Sequence, residues 1–370
     1  MPTTTPGTLS RRRLLQGSAG LLGGLTFGAG CGSVAPSSRS TGGRNGKLKL
    51  TLFAFLGGEL ATMPREFAKE YEAAHRNVQI ELYEQSNTVG YTKMLAQKKA
   101  APDQPLVNLG FFNAQTTVQG VGDHMWSTLD YSSMSNADDI DDKFRRSDGH
   151  GIGIGADQFG LVYNTKKFPT APTSWSDLWN PRHAGQLCLF ENPWYVVFMA
   201  AKLHGGGITD MDPGWRLWQR RAEQIRLMVD SNPQYLNVLS NGSAPLTAYF
   251  AGTGQQWINS GAPLRYVVPR EGAIPLPVYL QTVAGSTDDQ LDVSRDIINE
   301  MISPKWSARW AEVSVETPAN TRATLPAKLA HLPAFSARTR AGFVDVDYDV
   351  VGKNNAAWQQ RWNRDVSSRI

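Results

Sequence analysis

The sequence predicts an α/β protein with more than one hydrophobic core, and two observations support this fold class. Segments whose apolar residues alternate, as in strands, take turns along the chain with segments whose apolar residues recur at helical spacing. The chain has 370 residues, whereas a single core rarely serves more than about 250 to 300 residues. We therefore expect two lobes.

The first elements follow a β-α-β order. Residues 48–55 (LKLTLFAF) predict a strand that ends at Gly57-Gly58, residues 63–74 predict a helix, and residues 78–83 (VQIELY) predict a second strand. A helix is predicted over residues 91–99 and a strand over residues 105–112. Ligands of open α/β sheets bind beyond the carboxyl ends of the strands, so residues 55–59 and 85–91 are the first places to expect a binding site.

The N-terminal residues predict an export signal. Residues 10–16 (SRRRLLQ) precede a weakly apolar, Gly-rich stretch over residues 17–30, which is shorter than the span of about 20 apolar residues that crosses a membrane. The adjacent arginines resemble a twin-arginine signal. Residues 27–31 (FGAGC) resemble a lipobox, with Gly28 where leucine is usual, so we expect lipidation at Cys31.

Beyond Cys31, composition limits what the chain can do. Residues 32–46 are rich in Ser, Gly, Arg and Thr and predict a flexible tether. If Cys31 is acylated, Cys188 has no partner for a disulfide, and we expect it to be a small buried hydrophobe. The whole chain carries a net charge of +4, and residues 1–30 contain three arginines and no acid, which leaves +1 for the rest. This near-neutral remainder argues against nucleic-acid binding, which needs a clustered basic face.

The middle of the chain resembles a known family. Residues 159–168 (FGLVYNTKKF) and 172–181 (PTSWSDLWNP) are similar to the signature of bacterial extracellular solute-binding proteins of ABC importers, in the family that includes spermidine/putrescine and ferric-iron binders. Residues 262–272 (APLRYVVPREG), 291–304 and 316–320 (ETPAN) resemble later blocks of that family in the same order. Locally, Ser174 is expected to cap a short helix that buries Trp175, Leu178 and Trp179.

The resemblance implies a two-lobed periplasmic-binding-protein-like fold of type II, in which each lobe is a mixed sheet flanked by helices and a two-segment hinge joins them. The expected boundaries are a signal over residues 1–31, a tether over 32–46, a first lobe over 47–158 and 268–318, and a second lobe over 159–267 and 319–370. Crossovers are expected near residues 155–160 and 267–272.

The implied function is that of the extracytoplasmic substrate-binding component of an ABC importer. Such a protein closes on a small polar solute between its lobes and delivers the solute to a membrane permease. We expect a monomer that uses no cofactor or metal, catalyses nothing, and lies in the periplasm or on the outer face of the cytoplasmic membrane. Placement at strand ends and near the expected crossovers selects the cleft-lining candidates Phe55, Asn87, Tyr91, Asn113, Gln115, Asp157, Gln158, Trp194, Tyr195, Tyr249, Thr253 and Tyr279.

The solute itself stays open at this point. Polyamine-binding relatives place a tryptophan and an aspartate where this chain has Phe250 and Thr253, and a second acid where residues 274–279 (IPLPVY) contain none. Glu59, Asp157 and Glu191 are candidate replacements for the missing charge. Ferric-iron relatives use adjacent tyrosines, and no Tyr-Tyr pair occurs here. Ferric iron, thiamine, phosphonate and sugar phosphate remain alternatives to a polyamine.

Other classes of protein find less support. Residues 151–156 (GIGIGA) match G-x-G-x-x-A, but no long helix with a ribose-binding acid follows, which disfavours a dinucleotide site. A secreted hydrolase is the alternative from another class, although the six histidines accompany no nucleophile elbow. A chemosensory or adhesion protein would make protein contacts without uptake.

Overall fold

The computed structural model describes residues 46–56, 59–190 and 193–370. The expected signal, the lipidation site Cys31, most of the expected tether, the Gly57-Gly58 pair and Glu191 lie outside the described residues. All of these described residues belong to one compact unit.

Strands and helices alternate along the chain as the sequence predicts. The strands are β1 Leu48–Phe55, β2 Val78–Gln85, β3 Leu109–Asn113, β4 Trp126–Ser127, β5 Ile152–Asn164, β6 Leu187–Phe190, β7 Ile225–Val229, β8 Leu246–Phe250, β9 Leu264–Val267, β10 Ile274–Val283 and β11 Thr317–Pro318. The helices are α1 Thr62–Ala74, α2 Asn87–Ala100, α3 Ala114–Gly122, α4 Trp194–Lys202, α5 Asp212–Arg220, α6 Asn232–Asn241, α7 Ala251–Asn259, α8 Asp288–Met301, α9 Pro304–Ser314, α10 Ala327–Ala330, α11 Ala337–Ala341 and α12 Tyr348–Asp365.

The described strands pair into one mixed sheet with the central order β2-β1-β3-β10-β5-β8-β6-β7. β1 is parallel to β2 and β3, and β6 is parallel to β7 and β8. The long strands β5 and β10 run antiparallel to each other and join these two parallel groups. The sheet is continuous because β5 passes from one group into the other without a break.

Two large clusters of buried side chains lie along this sheet. The first draws its residues from 50–156, from 273–319 and from Phe343. The second draws its residues from 159–248, from Ile274 and from 344–366. The chain therefore changes cluster within β5, between Ala156 and Phe159, and again at the start of β10. The expected lobe boundaries stay a prediction.

Most of the predicted elements agree with the structure in type and position. The β-α-β opening is present, and residues 291–304, which resemble a later block of the family, lie in α8 and extend to the start of α9. Ser174 caps a short 3-10 helix at Trp175–Trp179, whose three large apolar side chains are buried. The expected strand at residues 105–112 starts later, at Leu109, since Pro105 has no N–H for a ladder.

The glycine-rich stretch before Asp157 serves packing. It lies inside β5, where a Cβ on Gly155 would stand 2.9 Å from the carbonyl oxygen of Thr317 and 2.9 Å from the Trp310 ring. A larger residue there would separate β5 from β11 and α9. Position 155 therefore requires a residue without a Cβ, because β11 and α9 approach β5 closely there.

The search for membrane-crossing helices covers the described residues alone. None of the helices in that part of the chain has the length and apolar character needed to cross a bilayer.

Candidate functional site

Two cavities meet at the start of α3, the first helix after β3. The larger has a volume of about 640 Å³ and lies among α2, α3 and α12. The smaller has a volume of about 180 Å³ and lies between the start of α3 and aromatic residues of the second buried cluster. Asn113 and Gln115 line both cavities. The shared lining makes this pair of cavities, which we call the cleft, the candidate site.

Several polar side chains with hydrogen bonds to one another line the larger cavity. Asn113 caps α3, because its Oδ1 accepts a hydrogen bond of 2.8 Å from the Thr116 backbone N–H. Asn87 donates to the Thr116 hydroxyl, and the Asn113 N–H donates to Asn87 Oδ1 over 3.4 Å. Tyr91 donates to Asp123 over 2.6 Å, and burial together with this hydrogen bond raises the pKa of Tyr91. These bonds hold α2 and α3 together at the rim.

The smaller cavity is mainly aromatic. Phe159 of β5 stacks on Tyr195 of α4 with ring centroids 3.9 Å apart, and it packs against Phe250 at 4.5 Å. Trp194 meets Tyr348 edge to face at 6.2 Å. Leu276, Pro277, Phe190 and Ala114 complete the apolar part of the wall. This chamber suits an apolar or flat part of a solute, while Gln115 stands at its polar end.

The last long helix, α12, closes the outer side of the larger cavity. Asp349, Gly352, Lys353 and Asn355 line it. α12 packs closely on α3 here, since a Cβ on Gly352 would lie 2.9 Å from Val118 Cγ1. Further along, α12 is anchored in the second buried cluster through Val351 and Trp362.

Oppositely charged side chains form ion pairs next to this wall of the cavity. Arg146 forms an ion pair with Asp148 at 2.5 Å and lies 3.6 Å from Asp349. Burial works against ionisation of Asp148, but hydrogen bonds from Arg146 and from the His150 N–H lower its pKa. Lys353 is exposed at the opening of the cavity.

The structure brings six of the twelve candidate residues to the cleft. Asn87, Tyr91, Asn113 and Gln115 line the larger cavity, and Asn113, Gln115, Trp194 and Tyr195 line the smaller one. The other six candidates, Phe55, Asp157, Gln158, Tyr249, Thr253 and Tyr279, are not part of either lining.

Those other six make contacts within the fold. Phe55 is half-buried beside Phe53, with ring centroids 6.1 Å apart. Tyr249 is buried, stacks on Trp257 at 5.2 Å and donates to Asn232. Gln158 donates to the Ala334 carbonyl over 3.0 Å, and Asp157 accepts hydrogen bonds from backbone N–H groups. Tyr279 is buried in β10, and this burial raises its pKa to about 12. Thr253 lies half-buried in the first turn of α7.

Sequence reasoning missed the α12 residues and most of the aromatic wall. Tyr348 and Asp349 lie more than two hundred residues after Asn113 along the chain, and no local pattern marks their approach. Phe250 stands out only as a departure from the polyamine-binding pattern. The aromatic residues of β5 and β8 look like ordinary core residues in sequence.

Comparison with known proteins identifies the class. Residues 111–348 match the model of a family described as bacterial extracellular solute-binding protein. The match covers more than half of the chain, so the chain belongs to this family. The prediction that it is an extracellular solute-binding protein is confirmed.

One curated relative aligns with part of the chain. Spermidine/putrescine-binding periplasmic protein 1 of Haemophilus influenzae is 25% identical over 217 residues, which cover 54% of this chain and 56% of that protein. The chain therefore matches little more than half the length of this relative.

Solved structures confirm the predicted fold class. An ABC transporter protein from Clostridium perfringens aligns with a TM-score of 0.74 at 19% identity, covering 86% of this chain and 99% of that one. The spermidine/putrescine substrate-binding protein PotD from Streptococcus pneumoniae aligns at 0.70 with 18% identity, covering 85% and 98%. AfuA from Actinobacillus pleuropneumoniae, solved with fructose-6-phosphate, aligns at 0.65 with 16% identity, covering 86% and 98%.

Proposed function

We propose that this chain is the substrate-binding component of an ABC importer and that its solute lies in the cleft around Asn113 and Gln115. One observation carries the proposal: two cavities with different chemistry share these two residues, and their walls come from chain segments on both sides of the point where β5 changes cluster. A solute that touches both walls favours the conformation in which they are close. The loaded form would then be recognised by a membrane permease.

The solute we favour is small, with a polar part and an apolar part. The polar end would face the amides of Asn113 and Gln115, and the apolar part would occupy the aromatic chamber. Polyamines remain candidate solutes because of the relatives above. However, Asp157, a candidate replacement for the missing acidic residues, is not part of the lining of either cavity. Ferric iron, thiamine, phosphonates and sugar phosphates are the alternatives.

A thermal-shift screen of residues 32–370 against these compounds and amino acids tests the proposal. A solute present at about 100 times its Kd stabilises the folded state by about 2.7 kcal/mol. A hit should bind one-to-one in calorimetry and should be recovered unchanged after incubation, which separates binding from hydrolysis. If no compound shifts the transition, and protein purified from its native cell carries no small solute by native mass spectrometry, the proposal fails.

Export by a twin-arginine signal and acylation of Cys31 form a separate part of the proposal, supported by the N-terminal sequence. The mature protein would then be a monomer tethered to the outer face of the cytoplasmic membrane. Mass spectrometry of the protein from its native cell should find a lipid-modified cysteine as the first residue. The Cys31→Ser variant should leave the membrane fraction, and an unchanged membrane fraction would contradict the anchor.

A further inference from the structure

Two carboxyl groups, that of the half-buried Asp157 and that of the buried Glu316, lie opposite each other where β5 leaves the first buried cluster. Thr317 pairs with Ala156, and Pro318 pairs with Gly155, in antiparallel register. Continuing this register by one residue places Glu316 directly opposite Asp157. Directly opposed residues of an antiparallel pair have Cβ atoms about 4.5 to 5.5 Å apart, and like charges at such positions repel.

Each carboxyl group has its own set of neutral donors. Asp157 Oδ1 accepts from the N–H of Gln158 at 2.7 Å and from the N–H of Gly252 at 3.1 Å, so that it caps α7 from outside the helix. Glu316 Oε2 accepts from Trp310 Nε1 at 2.8 Å. Gly252 also approaches the end of α9, because a Cβ there would stand 2.8 Å from the Ser314 carbonyl oxygen.

No cation neutralises the pair within the described part of the chain. Neither carboxyl group forms an ion pair with a described lysine, arginine or histidine. The other titratable groups that face them are the buried phenols of Tyr249 from β8 and Tyr266 from β9. α7 and α9 contribute backbone groups and the Trp310 indole. Two opposed negative charges shielded from water and without a counter-ion are costly, and retaining a proton is the usual remedy.

The ladder of β5 also lacks some hydrogen-bond partners at this point. On one side of β5, β11 pairs as far as Ala156 and β8 begins at Phe159, which leaves residues 157–158 between them. On the other side, the partners of residues 156–158 in β10 are Pro277, Leu276 and Pro275, and prolines donate no ladder hydrogen bond. Packing around the carboxyl pair must therefore supply much of the local order.

We propose that Asp157 and Glu316 share a proton, and that this proton regulates the cleft by keeping β5, α7 and α9 packed together. The inference rests on the proposed function in one respect only, namely that the cleft binds the solute. Phe159, two residues after Asp157, and Phe250, which precedes the helix that Asp157 caps, both line the smaller cavity. Loss of the shared proton loosens these two walls together.

The expected pKa changes agree with this arrangement. Burial raises the pKa of Asp157 to about 6. Burial and the neighbouring Asp157 charge raise the pKa of Glu316 well above its ordinary value. The pair therefore releases its two protons in separate steps, and the second step leaves two opposed charges.

Infrared spectroscopy of the solute-free protein detects the shared proton directly. The wild-type protein should show a protonated-carboxyl band at pH 7 that shifts in D₂O and that is absent from Glu316→Gln. Hydrogen exchange at the amides of Ala251 and Gly252, corrected for intrinsic rates, should accelerate at least about tenfold over the pH range in which the band disappears. Glu316→Gln, which stays neutral, should not show that acceleration.

These measurements need no solute, so their outcome is independent of the thermal-shift screen. The proposal is overturned if the wild-type protein has no band beyond that of Glu316→Gln. It is equally overturned if the band titrates while the two amides keep their exchange rates. If Glu316→Gln does not fold, Asp157→Asn replaces it: its band should disappear at lower pH than the wild-type band, because Glu316 no longer faces a second carboxylate, and an unchanged titration overturns the proposal.

Discussion

The pH dependence of folding offers the sharpest quantitative test of the carboxyl pair. Asp157 has an ordinary pKa of 3.8, and burial raises this pKa to about 6 in the folded protein. Between these pH values the folded state holds a proton that the unfolded state has released. The unfolded state binds fewer protons, so the free energy of unfolding falls as the pH rises.

The size of this effect follows from the pKa difference. Each pKa unit corresponds to about 1.36 kcal/mol, so Asp157 should remove about 3 kcal/mol of stability between pH 4 and pH 8. The full stabilisation is present below about pH 4 and is lost as the pH passes about 6. Asp157→Asn retains an oxygen that can accept from Gly252 but cannot ionise. Its stability should therefore fall about 3 kcal/mol less than that of the wild type over the same range.

Urea unfolding at pH 4, 6 and 8, followed by circular dichroism, measures the difference. Comparing variant with wild type cancels groups that act in the opposite direction, such as Glu66 and Glu312, whose pKa values are lowered by hydrogen bonds from Arg309 and Lys328. The exposed Asp103→Asn variant serves as the matched control and should follow the wild type. If Asp157→Asn and the wild type lose equal stability between pH 4 and pH 8, the reasoning about burial at residue 157 is refuted.

Three further changes test the cleft and the core. Gln115→Ala should weaken a solute found in the screen about 2- to 10-fold in calorimetry, since one neutral hydrogen bond is worth about 0.5 to 1.5 kcal/mol. Gln104→Ala, an exposed residue that lines neither cavity, is the control, and equal affinities for both variants would remove Gln115 from the site. Trp362→Ala should cost about 3 to 5 kcal/mol in urea unfolding, because the buried indole anchors α12 in the second cluster, and a loss below about 1 kcal/mol would contradict that role. Cys188, whose pKa burial raises to about 12, should resist iodoacetamide at pH 8 until the protein is unfolded, and rapid labelling of the native protein would show that the site opens.

The parts of the fold that depend on local patterns were predictable. The strand at residues 48–55, the helix that follows it, and the cap at Ser174 are encoded by apolar spacing and a single capping side chain. The polar part of the cleft could also be predicted, because Asn113 ends β3 and Asn87 lies just after β2, and the carboxyl ends of these strands meet at one edge of the sheet. Each of these predictions needs only neighbours in sequence and one general rule.

The contacts that depend on distant segments could not be predicted. Gly352 meets Val118, and Asp349 lies near Arg146, only because α12 returns across α3 at the end of the chain. Asp157 was selected because it stands near an expected crossover, and the structure places it within two residues of the point where β5 changes cluster. Asp157 caps α7, a helix that begins nearly a hundred positions later in the chain. The sequence alone therefore could not show whether the Asp157 carboxyl group contacts a ligand or another part of the fold.

The position of the carboxyl pair has a physical rationale in the sheet itself. A strand that contributes to two buried clusters pairs with different strands before and after the changeover. Some of its residues therefore lie between these partner strands and lack a complete set of backbone hydrogen bonds. In β5 those residues are Asp157 and Gln158, and both meet the deficit with side-chain hydrogen bonds to α7, β11 and the Ala334 carbonyl. Apolar residues would leave the same backbone unsupported, at a cost of about 1 to 3 kcal/mol for each buried group left unpaired. A titratable group at the changeover therefore makes the local packing depend on one proton. Phe159, which follows two residues later, lines the smaller cavity of the cleft.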